Sequence, residues 1–187
     1  MNKVQRGLVG LSIVFLLTGC AGANAPATDA ASPSASASAS AEENPYGGFA
    51  VANPAANEVI LTVKGASKTI DLSITDLKKF ETQEITIMEP FVKANQTFVG
   101  VPLSELFDAA GIQATDKVSS LALNDYKYDD QASKFTASKG MIAFLRDGSE
   151  IPMDQGGPIR IVFPSGTPYF DFLDAWNWSI RTISVVE

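Results

Sequence analysis

The stretch Ile151-Pro152-Met153-Asp154-Gln155-Gly156-Gly157-Pro158-Ile159-Arg160-Ile161-Val162-Phe163-Pro164 carries the most particular pattern in the chain. Its paired glycines permit a tight backbone turn that a Cβ would block, and Pro158 stiffens the chain that follows. Ile159 to Phe163 is apolar throughout apart from Arg160, which reads as a short strand buried on both faces. Such a strand needs a layer on each side, and the surrounding sequence must supply both.

Upstream, Glu58 to Val63 and Thr69 to Leu72 read as two strands joined across Lys64-Gly65-Ala66. Ser73 opens a short helix to about Phe80, with Asp76 completing a capping-box variant and Ile74, Leu77 and Phe80 on one face. Glu84 to Met88 alternates apolar and polar residues as a half-wet strand ended by Pro90, and Thr97 to Val99 is a further extended piece. Pro102 to Ala110 is the strongest helix, with proline in its first turn, an apolar stripe of Leu103, Leu106, Phe107 and Ala110, and Gly111 as its stop. Lys117 to Leu123, Met141 to Arg146 and Ser179 to Val186 read as strands. Several short strands and a few short helices, without repeats or a βαβ rhythm, predict a single α+β domain of mixed, β-dominated type over residues 57–187.

The chain has 187 residues, 14 Lys and Arg against 21 Asp and Glu, one Cys and no His. Without His there is no Ser-His-Asp or Cys-His relay, and one Cys forms neither an intrachain disulfide nor a CxxC zinc site, so no metal site is assigned. A net charge of −7 lacks the basic face that nucleic-acid binding requires.

Lys3 and Arg6 precede a mostly apolar run, Gly7 to Leu17, that ends in Leu17-Thr18-Gly19-Cys20. The run is about half of the roughly 20 residues that span a bilayer, so residues 1–19 read as a signal peptide. The tetrad resembles the lipobox of bacterial lipoproteins, which implies lipidation of Cys20 and an extracytoplasmic domain anchored to the cell membrane or outer membrane. Loss of Lys3 and Arg6 with the signal would take the net charge to −9, leaving the acyl chains as the membrane contact. Residues 20–56 are rich in Ala, Ser, Pro and Gly and predict a disordered linker. Within it Pro45-Tyr46-Gly47-Gly48-Phe49 reads either as a docking motif or as a loose segment.

The stretch from Ile151 to Pro164, together with Gly100-Val101-Pro102-Leu103-Ser104-Glu105-Leu106-Phe107-Asp108-Ala109-Ala110-Gly111, resembles signature segments of the sulfite-oxidase-type molybdopterin-binding domain. Leu123-Asn124-Asp125-Tyr126 and the closing Trp178 to Val185 are similar to further segments of that family. The resemblance implies a pterin cofactor whose molybdenum is held by one cysteine on the loop after about the third strand. The matching stretch, Met88 to Asn95, contains no thiol, and a thioether or carboxylate is a poor substitute for a soft thiolate. No catalytic residue and no cofactor is therefore assigned, and molybdopterin enters by resemblance only.

An anionic pterin phosphate would draw on Lys93, Arg160 and Arg181, with Asn95 beside them. The loop from Pro164 to Trp178 holds both tryptophans; Tyr169, Trp176 and Trp178 are either walls of a ligand cleft or core, while Phe170 and Phe172 read as cover for the sheet. Asp125, Asp129 and Asp130 read as solvated turn charges, and Glu89 has no assignable acid–base partner. The expected function is a non-catalytic ligand-binding or accessory module with a small organic ligand or an envelope protein as partner. The alternatives are a molybdopterin-dependent oxidoreductase and a structural surface lipoprotein.

Overall fold

The computed structural model describes residues 52–186, so the signal segment, Cys20 and the linker up to residue 51 lie outside the described residues. In chain order the elements are β1 (Leu61–Lys64), β2 (Thr69–Leu72), α1 (Ile74–Leu77), β3 (Gln83–Met88), β4 (Asn95–Pro102), α2 (Leu103–Ala110) and β5 (Lys117–Ala122). They continue with β6 (Lys127–Gln131), α3 (Ala132–Ala137), β7 (Met141–Arg146), β8 (Ser149–Glu150), β9 (Arg160–Val162) and β10 (Ile180–Val186). Single 3₁₀ turns lie at Met153–Gln155 and Leu173–Ala175.

The strands make two sheets, ordered β2-β1-β10-β5-β6 and β3-β4-β7-β8, with β9 also paired to β7. All these pairings are antiparallel except that of β1 with β10. One apolar core joins them, with Leu61 and Val63 of the first sheet, Phe98, Ile142 and Ile161 of the second, and Leu103, Leu106 and Phe107 of α2. All three residues of β9 are buried, as a strand covered on both faces requires.

The helix signals are those the residues dictate. Ser73 Oγ accepts from Asp76 N while the Asp76 carboxylate accepts from Ser73 N, closing the capping box, and Gly111 ends α2 in the left-handed region at φ 72°. Among the described residues no helix is long and apolar enough to cross a membrane.

Three differences have physical reasons. Residues 52–56, expected within the linker, are tied to the domain: Asn53 Oδ1 accepts from Met153 N at 3.0 Å and Ala56 O accepts from Thr75 N at 3.0 Å. The acidic run at 127–131 is not a turn but an edge strand, because Tyr128 packs against the core and Asp129 and Asp130 take up partners there. The extended piece expected at Thr97–Val99 is part of a longer β4, which crosses β7 closely at Gly100.

At that crossing the register shifts between Val99 and Gly100, and a Cβ on Gly100 would lie 2.2 Å from Ile142 O. Gly100→Ala is expected to lower the unfolding free energy by about 2 kcal/mol, as overpacking does. Urea denaturation checks this; a loss under about 0.5 kcal/mol would mean that the crossing has room for a methyl group.

Candidate functional site

β3 ends at Met88, and the chain turns through Glu89 to Ala94 before re-entering the sheet as β4. The turn is self-closing: Glu89 N donates to Ala94 O at 2.8 Å and Lys93 N to Glu89 O at 2.9 Å, with Lys93 at φ 57°. The Glu89 side chain folds inward and is wholly buried. Its Oε2 accepts from Phe91 N and Val92 N at 2.8 and 2.7 Å, and its Oε1 accepts from Arg160 Nη2 at 2.8 Å. Arg160, on β9, is equally buried, with its guanidinium 4.3 Å from the Trp178 ring centre and 5.6 Å from that of Phe98.

This pair corrects the reading of Arg160 as a contact for an anionic ligand. A guanidinium fully removed from water demands a counter-charge, and Glu89, 71 residues earlier, provides it. The same pair settles the local place of Glu89, whose two oxygens are both engaged.

Around Trp178 the loop builds an aromatic wall. Gly156, at φ 83°, leaves room for the Trp178 ring, which would stand 3.3 Å from a Cβ there. Phe91 meets Trp178 edge-on with ring centres 4.6 Å apart and Trp176 at 6.1 Å. These rings, with Tyr126, Leu173, Asn124, Asp174 and Asn177, bound a cleft of about 390 Å³. Tyr126 Oη donates to Asp174 O at 2.9 Å, and burial, then the Asp174 charge, pushes the Tyr126 phenol up from its ordinary value.

Asn177 supplies a buried polar group on this wall. Ser120 Oγ spends its one proton on Tyr128 O at 3.2 Å, so towards Asn177 it can only accept, and Asn177 Nδ2 donates to it at 3.2 Å. That fixes the amide orientation. Asn177 Oδ1 is then buried with no hydrogen-bond partner among the described residues.

The other expected contacts lie elsewhere. Tyr169 is core: its Oη donates to Asp130 Oδ2 at 2.6 Å, beside Tyr128 Oη at 3.0 Å and Lys134 Nζ on the other oxygen at 2.7 Å. Burial raises the Asp130 carboxyl, but the hydrogen bonds from Lys134, Tyr169, Gln131 N and Tyr128 outweigh it and bring the pKa down to about 2. Burial and then the bonds to Asp130 and Tyr128 push the Tyr169 phenol far up. Trp176 is buried and donates from Nε1 to Tyr169 O at 2.9 Å, so it belongs to the core and the cleft wall together. Phe170 packs against the core, but Phe172, expected as cover, stands exposed beside Tyr128 and Tyr169.

Lys93 and Asn95 are exposed and do not line the cleft. Arg181 is exposed, pairs with Asp125 at 2.6 Å, and lines a separate hollow of about 640 Å³ beside residues 52–62. The three expected cations therefore sit in three different settings rather than forming one anion cradle. The cleft residues missed from the sequence are Phe91, Asn124, Tyr126, Leu173, Asp174 and Asn177; the available signal was a lone amide between two tryptophans.

A family model described as the oxidoreductase molybdopterin binding domain matches residues 49–169. Among solved structures, the crystal structure of the sulfane dehydrogenase SoxCD from Paracoccus pantotrophus matches with a TM-score of 0.57 and 20% identity. The match covers 72% of this chain and only 39% of that one, and at this identity it is a likeness of fold. No curated protein matches the chain in sequence.

The metal–pterin group implied by that description does not fit the residues present. The turn after β3 offers no sulfur donor, the oxygens of Glu89 are consumed by Arg160 and two backbone N–H groups, and among the described residues no three His, Cys, Asp or Glu side chains gather.

Removing one partner of the buried pair strands the other. Glu89→Gln and Arg160→Met are each expected to cost about 3–5 kcal/mol, and the double substitution Glu89→Gln with Arg160→Met clearly less than the sum of the two. Denaturant unfolding of the four proteins checks this; additive losses would show two independent side chains. At the second cluster, the folded carboxyl of Asp130 is lowered from 3.8 to about 2, so its ionised form favours the fold. The stability it contributes is present above about pH 3.8 and lost as the pH falls through about 2. The destabilisation caused by Asp130→Asn is therefore expected to shrink across that window; unfolding midpoints that differ by a constant amount down to pH 2 would contradict it.

Proposed function

Because the chain belongs to the oxidoreductase molybdopterin binding domain family, we propose that its fold serves here as a non-catalytic ligand-binding or accessory module. One observation carries this reading. Where the family resemblance places a metal-ligating cysteine, this chain has a turn organised around Glu89, whose carboxylate is fully committed to Arg160 and to the turn's own backbone. The adjoining cleft, walled by Phe91, Tyr126, Trp176 and Trp178, supports a binding role for the same face.

In this reading the domain is held outside the cytoplasm by acyl chains on Cys20 of Leu17-Thr18-Gly19-Cys20. A single chain binds membranes marginally, so stable anchoring needs more than one. Its partners are the membrane through that anchor, and a small organic ligand or an envelope protein at the domain.

Full-length protein purified from the membrane fraction is expected to carry neither molybdenum nor pterin at stoichiometric level, as measured by elemental analysis and pterin fluorescence. Stoichiometric recovery of both would establish the oxidoreductase alternative. Cys20→Ala is expected to move the protein to the soluble fraction, and its retention on membranes would defeat the lipid-anchor reading.

A further inference from the structure

We propose that the cleft bounded by Phe91, Tyr126 and Trp176 binds a small organic cation of the quaternary ammonium class. This rests on the binding-module reading and adds the chemistry of the ligand. Phe91 and Tyr126 keep 39% and 42% of their surface exposed, so aromatic area remains open at the cleft although both rings are anchored, Phe91 by Trp178 and Tyr126 by its bond to Asp174 O. Exposed aromatic faces attract a cation through the ring quadrupole, and a desolvated site strengthens that attraction.

The polar groups agree in sign. Asn177 Oδ1 is a buried acceptor without a partner among the described residues, and Asp174 lines the cleft without forming an ion pair among them. No Lys or Arg lines the cleft. Arg160 behind it is neutralised by Glu89, and Arg181 is paired with Asp125. An anion would meet the Asp174 charge with no compensating cation, whereas a quaternary ammonium carries the sign that the Asp174 carboxylate and the aromatic faces both favour. A volume of about 390 Å³ lies within the range of small-molecule sites, and the net charge of −7 concentrates cations near the protein.

The two tryptophans of the chain both line the cleft, so their emission reports on it directly. The full-length protein is titrated with choline and with its uncharged isostere 3,3-dimethylbutanol, by fluorescence and by calorimetry. Choline is expected to give a saturable response and the isostere to bind about tenfold more weakly. Tyr126→Leu, which keeps apolar volume but removes the ring, is expected to weaken choline about three- to tenfold and leave the isostere unchanged. Asp174→Asn is expected to weaken choline and flatten its salt dependence. Both positions are exposed, so the variants keep the fold, which circular dichroism verifies. Equal affinity for choline and isostere, or no saturable response to choline by either method, overturns the cation assignment and leaves the non-catalytic reading intact. That reading fails separately, through stoichiometric molybdenum and pterin.

Discussion

A carboxylate and a guanidinium, both wholly removed from water, set the constraint from which the functional face follows. Neither Glu89 nor Arg160 can stay buried alone, so the turn after β3 must deliver one charge to the point where β9 presents the other. Because Glu89 also takes two backbone hydrogen bonds from its own turn, that turn has one shape. Phe91 is thereby held edge-on to Trp178, and Trp178 in turn lies against the guanidinium and over Gly156. Charge pairing, loop geometry and aromatic packing are successive consequences of one buried interaction, and the cleft is their outward edge.

A second charge, only partly buried, is handled differently. Asp130 lies on an edge strand, partly open to water, and is satisfied by two phenols and a lysine rather than by one guanidinium. Tyr169 spends its hydroxyl on this cluster and its carbonyl on Trp176, so the acidic patch supports the indole from behind. The cleft is thus braced from two sides, by an ion pair beneath Trp178 and by a hydrogen-bonded cluster beneath Trp176.

What the sequence made legible is what local chemistry governs. The hairpin of β1 and β2, the capping box at Ser73 and the stripe and glycine stop of α2 are encoded within a few residues of where they act. The strand β6 was illegible because Lys127–Gln131 has no apolar alternation; its pairing is rewarded by Tyr128 packing and by contacts to Tyr169, far along the chain. Arg160 looked like a ligand contact because an arginine in an apolar run has no visible partner at short range, and its partner is 71 residues away. Asn177 was overlooked for the opposite reason, since an amide among aromatics becomes conspicuous only once its neighbours have been placed.

The place of β10 has a consequence for how the protein is made. This last strand sits between β1 and β5, joined to one in parallel and the other antiparallel, so the earliest and the middle strands of the first sheet meet only through it. A chain emerging from the ribosome or a translocation pore with its N-terminus leading holds two separate ribbons until residues 180–186 arrive as the wedge between them. Closure of the first sheet therefore waits for residues 180–186, whose pairing with β1 bridges a long stretch of chain and carries a loop-closure entropy cost.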